Sequence, residues 1–463
     1  MKTRKRVYGG RRIYRLLVLA ALLSLPGRVW TDTTVTEQPV QGELKIAIDP
    51  AVALYGVPFA ISVSGLKPGE AVTVTSQSRD AGDINWEASA VFSADSEGRV
   101  NLDRSAPVSG SYGGADGLGL LWSMKPLNPR GGKERPYNFT HLDVILVRFS
   151  AVTVDGRSCQ AILRRYYQLP GVGLLRMPVQ ENGLRGYLYA PADGKPHPGI
   201  ILLTGSNGGL AEWLAQVLAS NGFSTLTLAY FRYQDLPPEL DEIPLEYFFT
   251  AISWMKKQPL VTKDRLALVG GSRGGELALL LSATYPGITV VAAWVPNSIV
   301  WQTESMERQA KGQACSAWSK EGRSVPYASF LVTAEDMDKI AKGTLTSTRQ
   351  MADMKKLDPA LLQQVTIPVE KFRGPVFIYS GSDDQTGPGD ESAKMIMDRL
   401  KTHHHPYETR HIQLDGTGHF SFLPNMITGF QTFMNGGSAR GDSHGGMVCW
   451  SETLAFLHRY LDR

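Results

Sequence analysis

Residues 266–276 read Leu-Ala-Leu-Val-Gly-Gly-Ser-Arg-Gly-Gly-Glu, and Leu-Ala-Leu-Leu-Leu follows at 277–281. An apolar run stops at two glycines, presents one serine, and restarts through two more glycines. The pattern predicts a strand, a sharp turn and a helix, with Ser272 at the apex of a G-x-S-x-G frame spanning Gly270 to Gly274. Such a turn forces strained backbone angles on the serine, and its neighbours must lack bulk so that strand and helix can pass closely. The Ser272 hydroxyl would then stand above a sheet edge, over the free amides of a helix start.

Working outward, solid apolar runs recur at 199–203, 266–269, 290–295 and 376–379, with a further strand candidate at 224–229. Runs apolar on both faces are what a parallel sheet covered on both sides requires. Helical stretches at 210–220, 245–257, 276–283 and 393–401 lie between them. The alternation implies a doubly wound α/β domain over 170–463, with ligands at the carboxyl ends of its strands. Residues 300–368 are more irregular; with Trp301, Trp318 and Tyr327 they are expected to form an excursion over the site.

Residues 44–169 differ in kind. Phe59-Ala60-Ile61-Ser62-Val63-Ser64 and Ala71-Val72-Thr73-Val74-Thr75 alternate apolar with small or polar residues, separated by the turn Leu66-Lys67-Pro68-Gly69-Glu70. Val144-Ile145-Leu146-Val147 and Ala151-Val152-Thr153-Val154 continue the pattern, closed by Asp155-Gly156. This predicts an all-β sandwich.

A serine hydroxyl becomes a nucleophile when a histidine takes its proton and a carboxylate orients that imidazole. In this chain order the acid precedes the histidine. Val376-Phe377-Ile378-Tyr379-Ser380-Gly381-Ser382-Asp383-Asp384 is a strand running into an acidic turn, and the spacing from Gly381 favours Asp384. Asp383 is the rival, with turn capping as its other role. Leu414-Asp415-Gly416-Thr417-Gly418-His419-Phe420 then offers a histidine in a glycine-flanked loop. The oxyanion donors would be the amide of Arg273 and those of Gly205 and Ser206, in the glycine-rich loop 204–209 after the first core strand. That loop lacks the lysine of a P-loop, which argues against nucleotide hydrolysis. The Arg273 side chain can pair with Glu276 or meet a charged substrate group. His403, His404 and His405 end a helix, where positive charge suits the dipole; His141, His197, His411, His444 and His458 carry structural readings.

Composition sets outer bounds. The chain has 463 residues, 43% of them hydrophobic and 20% charged, enough for two domains with substantial cores. Eight of its positive charges fall within residues 1–30, which hold no acidic residue, so the +4 net charge conceals a net acidic body. That argues against nucleic acid as the partner. The basic start runs into Leu16-Leu17-Val18-Leu19-Ala20-Ala21-Leu22-Leu23-Ser24-Leu25. Residues 1–30 are therefore expected to act as an export signal or an uncleaved anchor, with 13–30 as the tether and a cytoplasmic location as the alternative. The run is short for a membrane span, which needs about 20 residues. Residues 31–43 would be a linker. Three scattered cysteines, Cys159, Cys315 and Cys449, indicate neither disulfides nor a metal site and are expected to be buried thiols.

The chain also resembles a known family, the type I acyl-CoA thioesterases and bile acid-CoA:amino acid N-acyltransferases. Leu66-Lys67-Pro68-Gly69 and Gly117-Leu118-Gly119-Leu120-Leu121-Trp122-Ser123-Met124 resemble its N-terminal β-sandwich. Gly208-Gly209-Leu210, Asn221-Gly222-Phe223, Leu228-Ala229-Tyr230, Asp235-Leu236-Pro237, Leu245-Glu246-Tyr247-Phe248, Ser316-Ala317-Trp318, Ile367-Pro368-Val369-Glu370-Lys371 and the closing Trp450 with Leu454-Ala455-Phe456-Leu457 resemble its α/β-hydrolase domain. The resemblance implies a triad of Ser272, Asp384 and His419 acting on an acyl-CoA thioester, with no cofactor and no metal. Members resembling the acyltransferases carry cysteine at the elbow, so Ser272 favours hydrolysis over amino-acid transfer. Two features depart from the pattern: the export-like start, and the loop Gln385-Thr386-Gly387-Pro388-Gly389, which lacks the family's aromatic. A carboxylesterase or lactone hydrolase, and a non-catalytic binding protein on a hydrolase scaffold, are the alternatives.

Overall fold

The structure is a computed structural model that describes residues 43–128, 137–139, 142–305, 307–308, 311–329, 354, 356–424, 427 and 436–462. The export-like segment 1–30, nearly all of the linker and His141 lie outside the described residues, so the expectations placed on them do too.

The apolar runs form the centre of one eight-stranded sheet. Its strands are β1 (Leu174–Val179), β2 (Arg185–Pro191), β3 (His197–Leu203), β4 (Ser224–Ala229), β5 (Val261–Gly271), β6 (Val290–Trp294), β7 (Val376–Gly381) and β8 (Thr409–Leu414), in the spatial order β1-β2-β4-β3-β5-β6-β7-β8. β2 is antiparallel to both β1 and β4, and every later pairing is parallel. All residues of β4, β6 and β7 are buried, as a sheet covered on both faces demands. This is the α/β-hydrolase arrangement. Because β3 sits between β4 and β5, the strand order reverses at β3, and the crevice at its carboxyl end is the natural ligand position.

The covering helices are α1 (Glu212–Ser220), α2 (Leu245–Met255), α3 (Arg273–Thr284), α4 (Gly389–Thr402) and α5 (Ala439–Leu461). α3 begins three residues before the stretch expected from sequence, since Gly274 and Gly275 are helical rather than part of the turn. Their lack of side chains serves packing: a Cβ on Gly274 would stand 2.4 Å from the carbonyl oxygen of Leu203, at the end of β3.

α5 is a helix that the sequence pattern did not announce. Gly445 and Gly446 lie within it, and glycine inside a helix costs about 1 kcal/mol relative to alanine. The packing explains them: a Cβ at Gly446 would lie 1.9 Å from the Leu423 carbonyl oxygen, and one at Gly445 would lie 2.7 Å from the Tyr379 hydroxyl.

Before this sheet come two β-sheets, largely antiparallel. Lys45–Asp49, Ala60–Ser64 and Val100–Asn101 form one; Val52–Leu54, Ser158–Tyr166, Val144–Thr153, Ala71–Arg79, Asn85–Ser93 and Ser109–Gly110 form the other, with Lys125–Pro126 at its side. Their strands bury alternate residues, and Ile46, Val63, Val74, Phe92 and Phe149 share one core, as in a sandwich. That core runs on into the hydrolase layer through α1 and α5. Trp213 of α1 packs edge-on against Tyr55 and Phe139. Asp116, its side chain fully buried, accepts from Trp122 Nε1, from His444 Nε2 at 2.9 Å and from Arg440 Nε at 3.0 Å, both on α5. Gly42–Arg463 accordingly form one compact unit.

Within 300–368, expected to be irregular, the described residues include regular pairing. Trp318–Lys320 pairs with Ile243–Pro244 and Arg323–Ser324 in a small sheet, and Trp301 and Trp318 are buried. Among the described residues no helix is long and apolar enough to cross a membrane.

Candidate active site

The elbow has the strain that its sequence implies. Ser272 adopts φ 56°, ψ −124°, directly before the first residue of α3. A left-handed non-glycine residue at the end of a central strand is the geometry that lifts a side chain off the sheet. Gly270 has no room for a Cβ, which would meet the Gly274 carbonyl oxygen at 2.4 Å. The Arg273 amide is at the first helical position and has no intrahelical acceptor.

β7 and β8 end beside this edge and carry the next two residues. His419 Nδ1 lies 2.8 Å from Oδ2 of Asp384, and both side chains are buried. The other oxygen of Asp384, Oδ1, accepts from the amides of Thr386 at 2.9 Å and Gly387 at 3.0 Å. Those donors fix the carboxylate, which in turn fixes the imidazole, leaving Nε2 for proton transfer. Asp383 faces elsewhere: its oxygens accept from Gln385 Nε2 at 2.6 Å and the Gly437 amide at 2.8 Å. Of the two rival carboxylates, Asp384 reaches the histidine and Asp383 caps the loop at 436–437.

The histidine loop is held by groups that sequence reasoning missed. The Gly418 amide donates to Asp442 Oδ1 at 2.7 Å, and Ser421 Oγ donates to the Gly418 carbonyl at 2.6 Å. Tyr379 of β7 donates to Ser421 Oγ at 2.9 Å. Phe422 stacks on Trp294 with centroids 5.3 Å apart, and its ring sits 3.2 Å from where a Gly271 Cβ would be. The histidine loop therefore seats directly on the elbow. The pairing depends on α5 being a helix, so no local signal could have found it.

The loop 204–209 meets the elbow from the other side. A Cβ on Gly205 would stand 3.3 Å from the Ser272 Cβ. The Gly208 amide donates to the Gly205 carbonyl at 3.1 Å, the Gly209 amide to Phe231 at 3.0 Å, and Tyr230 caps the Thr204 carbonyl. The chain thus turns at Gly205 and Ser206 next to the serine.

The Arg273 side chain takes the structural alternative. It is buried, with NH1 2.6 Å from Glu276 Oε2 and NH2 donating to the carbonyls of Trp301 at 3.3 Å and Gln302 at 3.1 Å. Glu276 also accepts from Trp318 Nε1 and Asn297 Nδ2, each at 2.8 Å. Burial pushes the Glu276 carboxyl above its ordinary value, against the pull of Arg273 and these hydrogen bonds. The contacts that hold Arg273 are thus with Glu276 and the 301–302 carbonyls.

The cysteines are all free; Cys315 and Cys449 are buried, while Cys159 is only partly covered. His405 Nε2 donates to the Gly374 carbonyl, consistent with the structural reading of that cluster. Among the described residues no group of His, Cys, Asp or Glu could hold a metal ion.

Comparison with known proteins adds to this geometry. Residues 56–181 match the family described as acyl-CoA thioester hydrolase/BAAT N-terminal region, and residues 243–463 match BAAT/acyl-CoA thioester hydrolase C terminal. The chain is 30% identical to acyl-coenzyme A thioesterase 6 of Mus musculus over 90% of its length and 97% of that protein. It is also 30% identical to the mitochondrial acyl-coenzyme A thioesterase 2 of Mus musculus, over 95% of this chain and 92% of that one. The peroxisomal succinyl-coenzyme A thioesterase of Mus musculus is 28% identical over 87% of this chain and 93% of that protein.

Proposed function

We propose a serine mechanism of thioester hydrolysis for this chain, which belongs to the acyl-CoA thioester hydrolase/BAAT family and is a thioesterase. One observation carries the mechanism: a strained serine at the end of β5, at the same sheet edge as a hydrogen-bonded Asp384–His419 pair that follows β7 and β8.

Ser272 Oγ attacks the thioester carbonyl carbon as His419 Nε2 takes its proton. The carbonyl oxygen becomes an oxyanion between the Arg273 amide and those of Gly205 and Ser206. Collapse expels the coenzyme A thiolate, which takes the proton from His419 and leaves an acyl ester on Ser272. Water, deprotonated by His419, then attacks that ester; the bond to Ser272 Oγ breaks as His419 returns the proton to that oxygen, and the free acid leaves. Asp384 keeps the imidazole in the Nδ1–H tautomer through both halves. A thioester passing its acyl group to a hydroxyl runs downhill, and the oxyester left behind is open to water. Serine at this position therefore supports hydrolysis rather than transfer to an amine.

The test is covalent labelling. A fluorophosphonate should modify Ser272, and the His419→Ala variant should resist it; labelling elsewhere, or unchanged labelling in that variant, would contradict the assignment. A panel of acyl-CoAs and matched simple esters then identifies the acyl group. For location, we infer export or anchoring from the basic, then apolar, segment 1–30. Fractionation of cells expressing the full chain should find it outside the cytoplasm or on a membrane, and a cytoplasmic pool alone would overturn this.

A further inference from the structure

The two halves of the oxyanion site come from different strand ends, β3 for Gly205 and Ser206 and β5 for Arg273. Their amides must aim at one oxygen, yet no backbone hydrogen bond joins Ser206 to the elbow. A side-chain bridge does. Ser206 Oγ donates to Glu304 Oε1 at 2.7 Å, and the same Oε1 lies 3.5 Å from Nε of Arg273. Arg273 is locked by Glu276 and by the carbonyls of Trp301 and Gln302, so Glu304 is tied to the elbow helix through a buried cation. From the opposite side, Arg232 NH1 donates to the Ser206 carbonyl at 3.1 Å. The Ser206 peptide is thus clamped between an anion bonded to its hydroxyl and a cation bonded to its carbonyl.

We propose that Glu304 is a positioning residue for catalysis: it holds Ser206 in register with Arg273 so that both amide donors meet the same developing oxyanion. This rests on the serine mechanism above. Glu304 touches no reacting atom and acts through Ser206. It also explains why the residue after the nucleophile is an arginine whose side chain turns inward. The excursion at 301–304 has a use besides covering the site, since it supplies the carboxylate that spans the two halves.

The experiment compares Glu304→Ala, Glu304→Gln and Ser206→Ala with wild type. Acyl-CoA turnover, melting temperature and inhibition by an acyl trifluoromethyl ketone are measured; that ketone forms a tetrahedral oxyanion on the serine. Ser206→Ala keeps the amide and loses only the hydroxyl, and so guards against a folding defect in the Glu304 variants. Glu304→Ala and Ser206→Ala should each lower kcat about tenfold with KM within about twofold, because the loss is felt where charge develops. Ketone affinity should fall by the same factor. The double variant should be no worse than either single one, as the two residues act through one bond. Glu304→Gln keeps an acceptor for Ser206 and should lose about threefold or less. Wild-type kcat in Glu304→Ala, a rise in KM alone, or losses that multiply in the double variant would overturn the proposal. Ser272→Ala assayed alongside separates the failures. If it still turns over, the serine mechanism falls; if it is inactive while Glu304→Ala is normal, only the positioning role falls.

Discussion

Two glycine-rich segments of this chain look alike and do different work. Gly270-Gly271-Ser272-Arg273-Gly274-Gly275 makes the elbow, and Gly441-Asp442-Ser443-His444-Gly445-Gly446 opens α5. In the first, Gly270 faces the Gly274 carbonyl within the turn itself, so the break from strand to helix is visible within ten residues, even though Gly274 also abuts the distant Leu203. In the second they lie inside a continuous helix, where their partners are Leu423, Thr417 and Tyr379, distant in sequence. A glycine that permits a turn is readable locally, whereas one that permits close approach is readable only when the approaching chain is known.

The comparison can be broken most severely at the acid that the elbow requires. Asp384→Asn should lower kcat by about 10³–10⁴-fold by removing the charge that selects the His419 tautomer. Asp383→Asn should stay within about threefold, since it disturbs only a loop cap. Equal losses in steady-state kinetics would show that the 2.8 Å contact of Asp384 with His419 is not the one that matters.

Next in size is the helix glycine. Gly446→Ala should cost about 3 kcal/mol or more in chemical denaturation, because its Cβ would meet backbone rather than a movable side chain. A gain in stability, as helix propensity alone would give, would refute the close-approach reading.

A smaller effect belongs to Asp116, which ties α5 to the β-sandwich. Burial raises its carboxyl, but the hydrogen bond and charge of His444, with the Leu118 amide and Trp122, outweigh this and hold it below the ordinary aspartate value. A carboxyl depressed in the folded state contributes stability that is present above its unfolded pKa and lost as pH falls through the folded one. Asp116→Asn should therefore cost about 1–3 kcal/mol at neutral pH, and the difference from wild type should shrink below about pH 4. A pH-independent difference would rule out the charge. At the bottom of the scale, Gly113 has open space around it, so Gly113→Ala should change stability by no more than about 0.5 kcal/mol.

The same contrast accounts for what was legible. The strand Ser224–Ala229 was readable to the residue despite its threonines, and the buried centres of the other core strands were readable because a strand covered on both faces is mostly apolar, though β5 begins five residues before the run that marks it. Ser272 and Asp384 were readable because each follows such a strand, and His419 because chain order and a glycine-flanked loop mark it, although β8 before it is polar and only half-buried. The edge strand β1 and its neighbour β2 were not, since Leu174–Val179 mixes a half-buried and an exposed leucine with an arginine and a proline. α5 was hidden by glycines whose reason is tertiary, and with it went Asp442, which holds the histidine loop. The bridge from Ser206 through Glu304 to Arg273 joins three distant segments; local patterns mark Ser206 and Arg273 for their amides, but nothing local marks Glu304 or the bridge.

The central claim is that Ser272 carries the acyl group. Its most direct test is acyl-CoA hydrolysis by purified Ser272→Ala, with wild type alongside and melting temperatures matched. The account predicts a folded protein whose turnover is lower by at least about a thousandfold. Thioester hydrolysis at the wild-type rate in that variant would contradict it.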